Sequence, residues 1–300
     1  MPGRRRCTEI GLKKEAAEGE TGVMGLYQYE VTDIKKTERI DRLVAHLFAK
    51  MPEIESARAK LITESYKETE NEPIIIRRAK AFAHILENIP IIIREDELVV
   101  GSSTIAPRGC QTYPEFSYEW LEGEFDTVAA RSADPFYISE QAKREIKEAN
   151  GYWKGKTTSD LATSYMEPET LTAMAHNMFT PGNYFYNGVG HVTVQYEKVL
   201  AIGYEGIRAE AQKLLSECDF GDGDYARKSR FLQAVIISCN AVIAYADRYA
   251  ELAKQMASEC RDAARRAELL KISENCSKVP ARGAESFYEA CQSFWFVQQL

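Results

Sequence analysis

From Thr37 onward the chain carries apolar residues at helical spacing for most of its length, and this periodicity limits what it can fold into. Ile40, Leu43, Val44, Leu47 and Phe48 recur every three or four positions behind Thr37, a candidate N-cap, until Pro52 stops the run. The pattern continues over 53–69 and 74–87. Pro90 ends the third helix, and Ile91-Ile92-Ile93 and Leu98-Val99-Val100-Gly101 then read as short buried strands around an acidic turn. A loop-rich stretch follows, through Pro107, Arg108-Gly109 and Tyr113-Pro114-Glu115. Ser139 is expected to cap another helix, with Glu140 in the first turn, where the helix dipole favours negative charge. Residues 181–190 are the most irregular stretch, and helices resume near Thr193 and run to the end. No repeat at a solenoid period is present. The expected class is α/β and helix-rich.

Composition excludes several functions. Thirty-eight basic residues against 45 acidic ones leave a net charge of −7, the wrong sign for a general nucleic-acid or anionic-membrane surface. The most apolar stretch, 234–246, contains Ser238, Cys239 and Asn240 and runs into Asp247-Arg248, so it reads as a buried helix rather than a membrane span. Arg4-Arg5-Arg6 is basic, but no apolar core of secretory length follows it. The 7 cysteines include no CxxC pair, which points to reduced cytoplasmic thiols and to no metal site. Cys239 and Cys291 read as small core residues.

Residues 1–23 are rich in Arg, Lys, Glu and Gly and poor in large apolar residues, so they are expected to be an unpacked, disordered extension ahead of a 24–300 domain. Met24 is a candidate true start; a targeting tail for enclosure in a protein shell is the other reading. At the far end, Phe287, Ala290, Cys291, Phe294 and Val297 form an apolar stripe that reaches Leu300 with no terminating Gly, Asn or Pro. Together with the cluster Phe294-Trp295-Phe296, it leads us to expect a chain cut inside a larger fold.

Among the 4 histidines, His46 and His84 sit amid apolar neighbours and read as core or boundary residues, and His176 near a helix end reads as structural. His191 differs because it follows Gly188-Val189-Gly190. Glycines allow close backbone approach, and imidazole can give or accept a proton near neutral pH. The Gly-x-Gly pair is not a dinucleotide fingerprint, since Thr193 stands where the third glycine belongs and no βαβ strand precedes it. The glutamates over 64–72 read as a solvated face. Spacing and composition name no reaction.

Longer stretches carry a resemblance. Arg58-Ala-Lys-Leu-Ile-Thr-Glu-Ser-Tyr-Lys, Arg77-Arg-Ala-Lys-Ala-Phe, Ile91-Ile-Ile-Arg-Glu-Asp-Glu-Leu-Val-Val-Gly, Tyr113-Pro-Glu-Phe-Ser and Asp134-Pro-Phe-Tyr-Ile-Ser occur in the order seen in the glycyl radical enzymes, the pyruvate formate-lyase-like superfamily. The stretch from Tyr152 to Met166 and Gly182-Asn-Tyr-Phe-Tyr-Asn-Gly-Val-Gly-His-Val-Thr-Val resemble the coenzyme-B12-independent glycerol and propane-1,2-diol dehydratases. The resemblance runs from about Glu38 to the last residue.

It implies the N-terminal part of a ten-stranded α/β barrel of the pyruvate formate-lyase type, homodimeric when complete. It also implies a glycyl radical installed by a separate iron–sulfur, S-adenosylmethionine-dependent activating enzyme, a thiyl radical on a barrel cysteine, and water loss from a small diol to give an aldehyde. The family's Cys-x-Glu and Arg-Val-x-Gly loops are expected beyond Leu300. None of the cysteines here therefore inherits the radical role, no cofactor is expected in this chain, and alone it is expected to be inactive. His191 matches the family's active-site histidine: aimed at a departing hydroxyl, it lowers the barrier as a donor or acid. The related choline lyases carry Asp there, suited to a cation; His favours a neutral diol. Asn183 is expected as a second substrate contact. The alternatives are another lyase of the superfamily, of formate acetyltransferase, choline, isethionate or hydroxyproline type, and a non-catalytic helical interaction module. The expected location is cytoplasmic, with a bacterial microcompartment as the variant.

Overall fold

The computed structural model describes residues 37–181 and 192–300. The expected extension at 1–23, Asn183 and His191 lie outside the described residues. All described residues but Thr37 belong to one compact unit, Glu38–Leu300. In order its elements are α1 (Glu38–Phe48), β1 (Glu53–Glu55), α2 (Ala57–Glu68), α3 (Ile74–Asn88), β2 (Gly109–Gln111), α4 (Glu119–Glu122), a 3-10 turn (Val128–Ala130), β3 (Tyr137–Ile138), α5 (Glu140–Trp153), α6 (Thr158–Ser164), α7 (Pro168–Ala175), α8 (Tyr196–Ser216), α9 (Tyr225–Glu259), α10 (Ala263–Lys278) and α11 (Phe287–Gln299). The expected α/β, helix-rich class is the one observed.

α9 is the spine. Tyr245, Tyr249 and Ala253 are buried with Leu86 of α3 and Ile89 just after it, with Leu269 and Ile272 of α10, and with Phe296 of α11. The expected buried helix at 234–246 lies within it. α9 has the length and hydropathy to cross a membrane, but the same side chains form this core. Arg248 fastens the end of α3, donating to Leu86 O at 2.6 Å and Ile89 O at 2.7 Å. These are terminal carbonyls that have no partner within the helix. Ser139 caps α5 as expected, its Oγ accepting from Ala142 N–H at 3.1 Å.

The strands are not where periodicity puts them. The helix expected over 53–69 begins as β1, because Ile54 is buried against Leu121, Val128, Ile138, Ala142 and Ile146. β1 lies between two parallel neighbours in the order β2-β1-β3, with Ile54 opposite Cys110 and Ile138. Such partners are distant in sequence, so local spacing does not show them.

Ile91–Ile93 and Leu98–Gly101 form no ladder. Ile93 and Val100 are buried as expected, but side chains from helices satisfy the backbone around Val100. Val100 N–H donates to Gln292 Oε1 at 2.9 Å, and Gln292 Nε2 donates to Val100 O at 2.7 Å. Trp295 Nε1 donates to Gly101 O at 2.9 Å, Ser102 N–H to Tyr249 Oη at 3.0 Å, and Tyr245 Oη to Ser102 O at 3.1 Å.

That duty rotates α11 relative to its expected face. The buried residues are Glu289, Gln292, Ser293, Phe296 and Val297, while Phe287 is 85% exposed and Phe294 44%. Of the expected stripe only Val297 is buried, because the polar side chains that hold the 98–102 segment must face inward. Within the cluster expected to need cover, Phe296 is fully buried.

Candidate functional site

A cleft of about 570 Å3 opens between α2, α3, the segment after β2, the end of α5 and the last residues of α11. Its lining draws on several stretches quoted above for the resemblance: Arg58 and Tyr66, Arg78 and Phe82, Tyr113 and Glu115, Trp153 and Lys156. Residues scattered over a hundred positions thus meet on one surface.

Arg58 organises it. The α2 N-terminus has no side-chain cap from Ser56; instead Arg58 N–H donates to Gln111 Oε1 at 3.1 Å. Gln111 Nε2 in turn donates to Ser103 O at 2.8 Å and Glu55 Oε2 at 3.3 Å, tying the helix start to the sheet. The Arg58 guanidinium grips Glu115 with both arms, at 2.5 and 3.2 Å, and donates to Thr112 O at 3.2 Å. It also lies 3.8 Å from the centre of the Tyr113 ring. A planar fork that pairs with a carboxylate and stacks on a ring at once is a task for arginine and not lysine. On the far wall Lys156 sits 3.5 Å from the centre of the Tyr152 ring, and Trp153 Nε1 donates to Thr63 Oγ1 at 2.8 Å. These groups are committed to one another, so they hold a shape. Among the described residues, the lining contains no histidine or cysteine.

His191 and Asn183, the two residues singled out from the sequence, lie outside the described residues; the next element after them is α8, which opens at Tyr196. The other histidines are peripheral. His176 is the exposed C-cap of α7, and His46 is exposed on α1, not a core residue, because α1 buries no side chain. His84 is half-buried, 3.3 Å from Glu64 Oε2. Burial pushes the Cys239 thiol up to about 11 and the Cys276 thiol up further, so neither is a thiolate at neutral pH. Among the described residues no three His, Cys, Asp or Glu side chains gather to hold a metal ion.

Reading the sequence missed the Arg58–Tyr113–Glu115 knot as a site. Its members were visible only as part of the resemblance, since a separation of 55 positions from Arg58 to Tyr113 conceals their contact.

A family model described as pyruvate formate lyase-like matches residues 33–300. The chain belongs to that family. Within it, a solved structure concerned with 1,2-propanediol dehydration in Roseburia inulinivorans is 66% identical, superposes with a TM-score of 0.86, and aligns over 90% of this chain and 32% of its own. The B12-independent glycerol dehydratase from Clostridium butyricum is 52% identical with a TM-score of 0.85, over 90% of this chain and 34% of its own. The isethionate sulfite-lyase of Oleidesulfovibrio alaskensis is 35% identical over 89% of this chain and 33% of that protein. The chain thus spans about a third of the length of each of these. One Cys-x-Glu triplet does occur, Cys7-Thr8-Glu9, but it precedes the residues that match the pyruvate formate lyase-like family.

Proposed function

We propose that this chain forms the N-terminal part of a glycyl radical dehydratase that removes water from glycerol or propane-1,2-diol. The observation that carries the reading is the gradient of identity: 66% and 52% to two diol-dehydration structures against 35% to the isethionate lyase. The balance is simple, since propane-1,2-diol gives propanal and one water, and glycerol gives 3-hydroxypropanal and one water. In the complete protein a glycyl radical, installed by a separate S-adenosylmethionine iron–sulfur enzyme, would supply hydrogen-atom abstraction at C1 by way of a cysteine thiyl radical. Residues 33–300 hold no Cys-x-Glu triplet, so the residues that carry the radical are assigned outside this part.

In this reading His191 orients the C2 hydroxyl and gives it a proton as it leaves, and Asn183 holds the diol through a second hydrogen bond. A neutral diol needs no guanidinium to pair with it, whereas a sulfonate does. In this reading residues 1–23 are an extension to a 24–300 domain. The complete protein is cytoplasmic or housed in a microcompartment and pairs as a homodimer.

The test is His191→Ala in the complete, activated protein. Propanal formation should fall by about two to four orders of magnitude, as for a lost acid–base group, with the radical signal in electron paramagnetic resonance unchanged. Turnover close to that of the unaltered protein would remove His191 from the reaction.

A further inference from the structure

α1 is 11 residues long and buries none of its side chains. A helix this short is marginal in water by itself, so contacts with the rest of the fold keep it formed. Charged groups make such contacts at both ends. Arg42 grips Asp96 with both arms, Nε and Nη2 donating to the two carboxylate oxygens at 2.7 and 2.6 Å. Arg39 pairs with Glu268 of α10 and lies 3.9 Å from Asp96. Just past the last turn Arg108 donates to Lys50 O at 2.8 Å, and its guanidinium lies 4.8 Å from the centre of the Phe48 ring. Between these two clamps the helix stands off the body. A cleft of about 240 Å3 lies between Leu43, Val44 and Leu47 on one side and Arg94, Glu97 and Pro107 on the other. Val44, Leu47 and Phe48 are exposed.

We infer that α1 is a strap latched by charge: it leaves the body as one unit when Asp96 and Glu268 no longer hold Arg42 and Arg39, while the core on α9 stays folded. Undocking gives up no fully buried apolar side chain, so little hydrophobic free energy opposes it. The Arg42 side chain is 56% exposed. Ion pairs that reach solvent in this way are individually weak and are screened by salt, so the latch responds to ionic strength. α3 and α9 have no such handle, because Leu86, Tyr245 and Tyr249 are buried in the common core. Release uncovers the apolar side of α1 and the 94–97 turn against which it stands.

Hydrogen exchange on the complete protein tests this with neither substrate nor radical, so the strap stands or falls apart from the diol reading. Raising NaCl from about 0.05 to about 0.5 M should speed exchange at least about fivefold in peptides covering 38–48, with α3 and α9 peptides unchanged. Asp96→Asn is the sharper probe. Asp96 has φ 66°, a left-handed geometry that asparagine also accepts, so the change keeps the backbone and removes the charge. It should speed exchange over 38–48 about tenfold at low salt. Glu268→Gln alone should act in the same direction, so the result does not hang on one variant. The two combined should bring the salt response below about twofold, because the latching carboxylates are gone.

Exchange over 38–48 that ignores both salt and Asp96→Asn overturns the latch, since charge is then not what holds α1. Speeding confined to 38–41 overturns the strap, because a fraying end is not a unit. Speeding that extends equally to α9 overturns it as well, because the core has then opened with the helix.

Discussion

Gln292 does with one side chain what a neighbouring strand does with a backbone. Fully buried, it gives Val100 a donor and an acceptor at once. Replacing it by leucine keeps much of the volume and strands two buried backbone groups. We expect Gln292→Leu to lower stability by about 2–4 kcal/mol, read as a shift in the urea midpoint. Gly203 is constrained as tightly. A Cβ there would stand 2.3 Å from Ala281 O at a positive φ, and a Cβ on Gly283 would stand 2.3 Å from Ala201 O. Gly203→Ala should therefore cost about 3 kcal/mol or more, checked in the same titration. Neither residue announces itself in the sequence: a glutamine in an apolar stripe reads as an interruption, and a glycine in a helical run reads as a weak spot. Ser139 was legible because a cap needs only its own next three residues.

Helices were legible wherever their burial followed their own apolar spacing. α2, α3 and α9 lie where the pattern puts them, while β1 pairs with β2 and β3 at separations of 56 and 84 positions, Glu53 opposite Gly109 and Tyr137. α11 shows how a correctly placed helix can present a different face, because hydrogen-bonding duties outweigh hydrophobicity there. Its Glu289 is buried, and burial pushes its carboxyl up. The Glu285 N–H at 2.7 Å and the Lys278 ammonium at 3.0 Å more than offset this and hold it below the usual carboxylate range. At the start of the fold, the Arg42 guanidinium likewise lowers Asp96, and Arg39 lowers Glu268. Each carboxyl titrates lower folded than unfolded, so its contribution is complete above the unfolded value near about 4 and is lost as pH falls through the folded value. Stability should drop from pH 5 to pH 3, and Glu289→Gln should flatten that fall, both read from urea midpoints across pH. A drop of the same size in the variant would show that Glu289 is not among the carboxyls responsible.

At the scale of the whole molecule, the described third is a frame. The spine of α9, the 98–102 segment and the Arg58 knot hold that frame together, while His191, the residue expected to meet substrate, lies outside the described residues. The class of the fold could be read from helical periodicity, and the family from long quoted stretches. The cleft could not, because it assembles from residues brought together only by folding. The central claim is that the complete protein acts on a neutral diol. The most direct test is an anaerobic comparison of kcat/KM after radical installation, with propane-1,2-diol, glycerol and isethionate as substrates. We expect aldehyde and water from a diol, favoured over isethionate by at least about 100-fold, since a pocket built for neutral hydroxyls leaves a sulfonate unpaired. Sulfite release from isethionate, with no aldehyde from either diol, would contradict it.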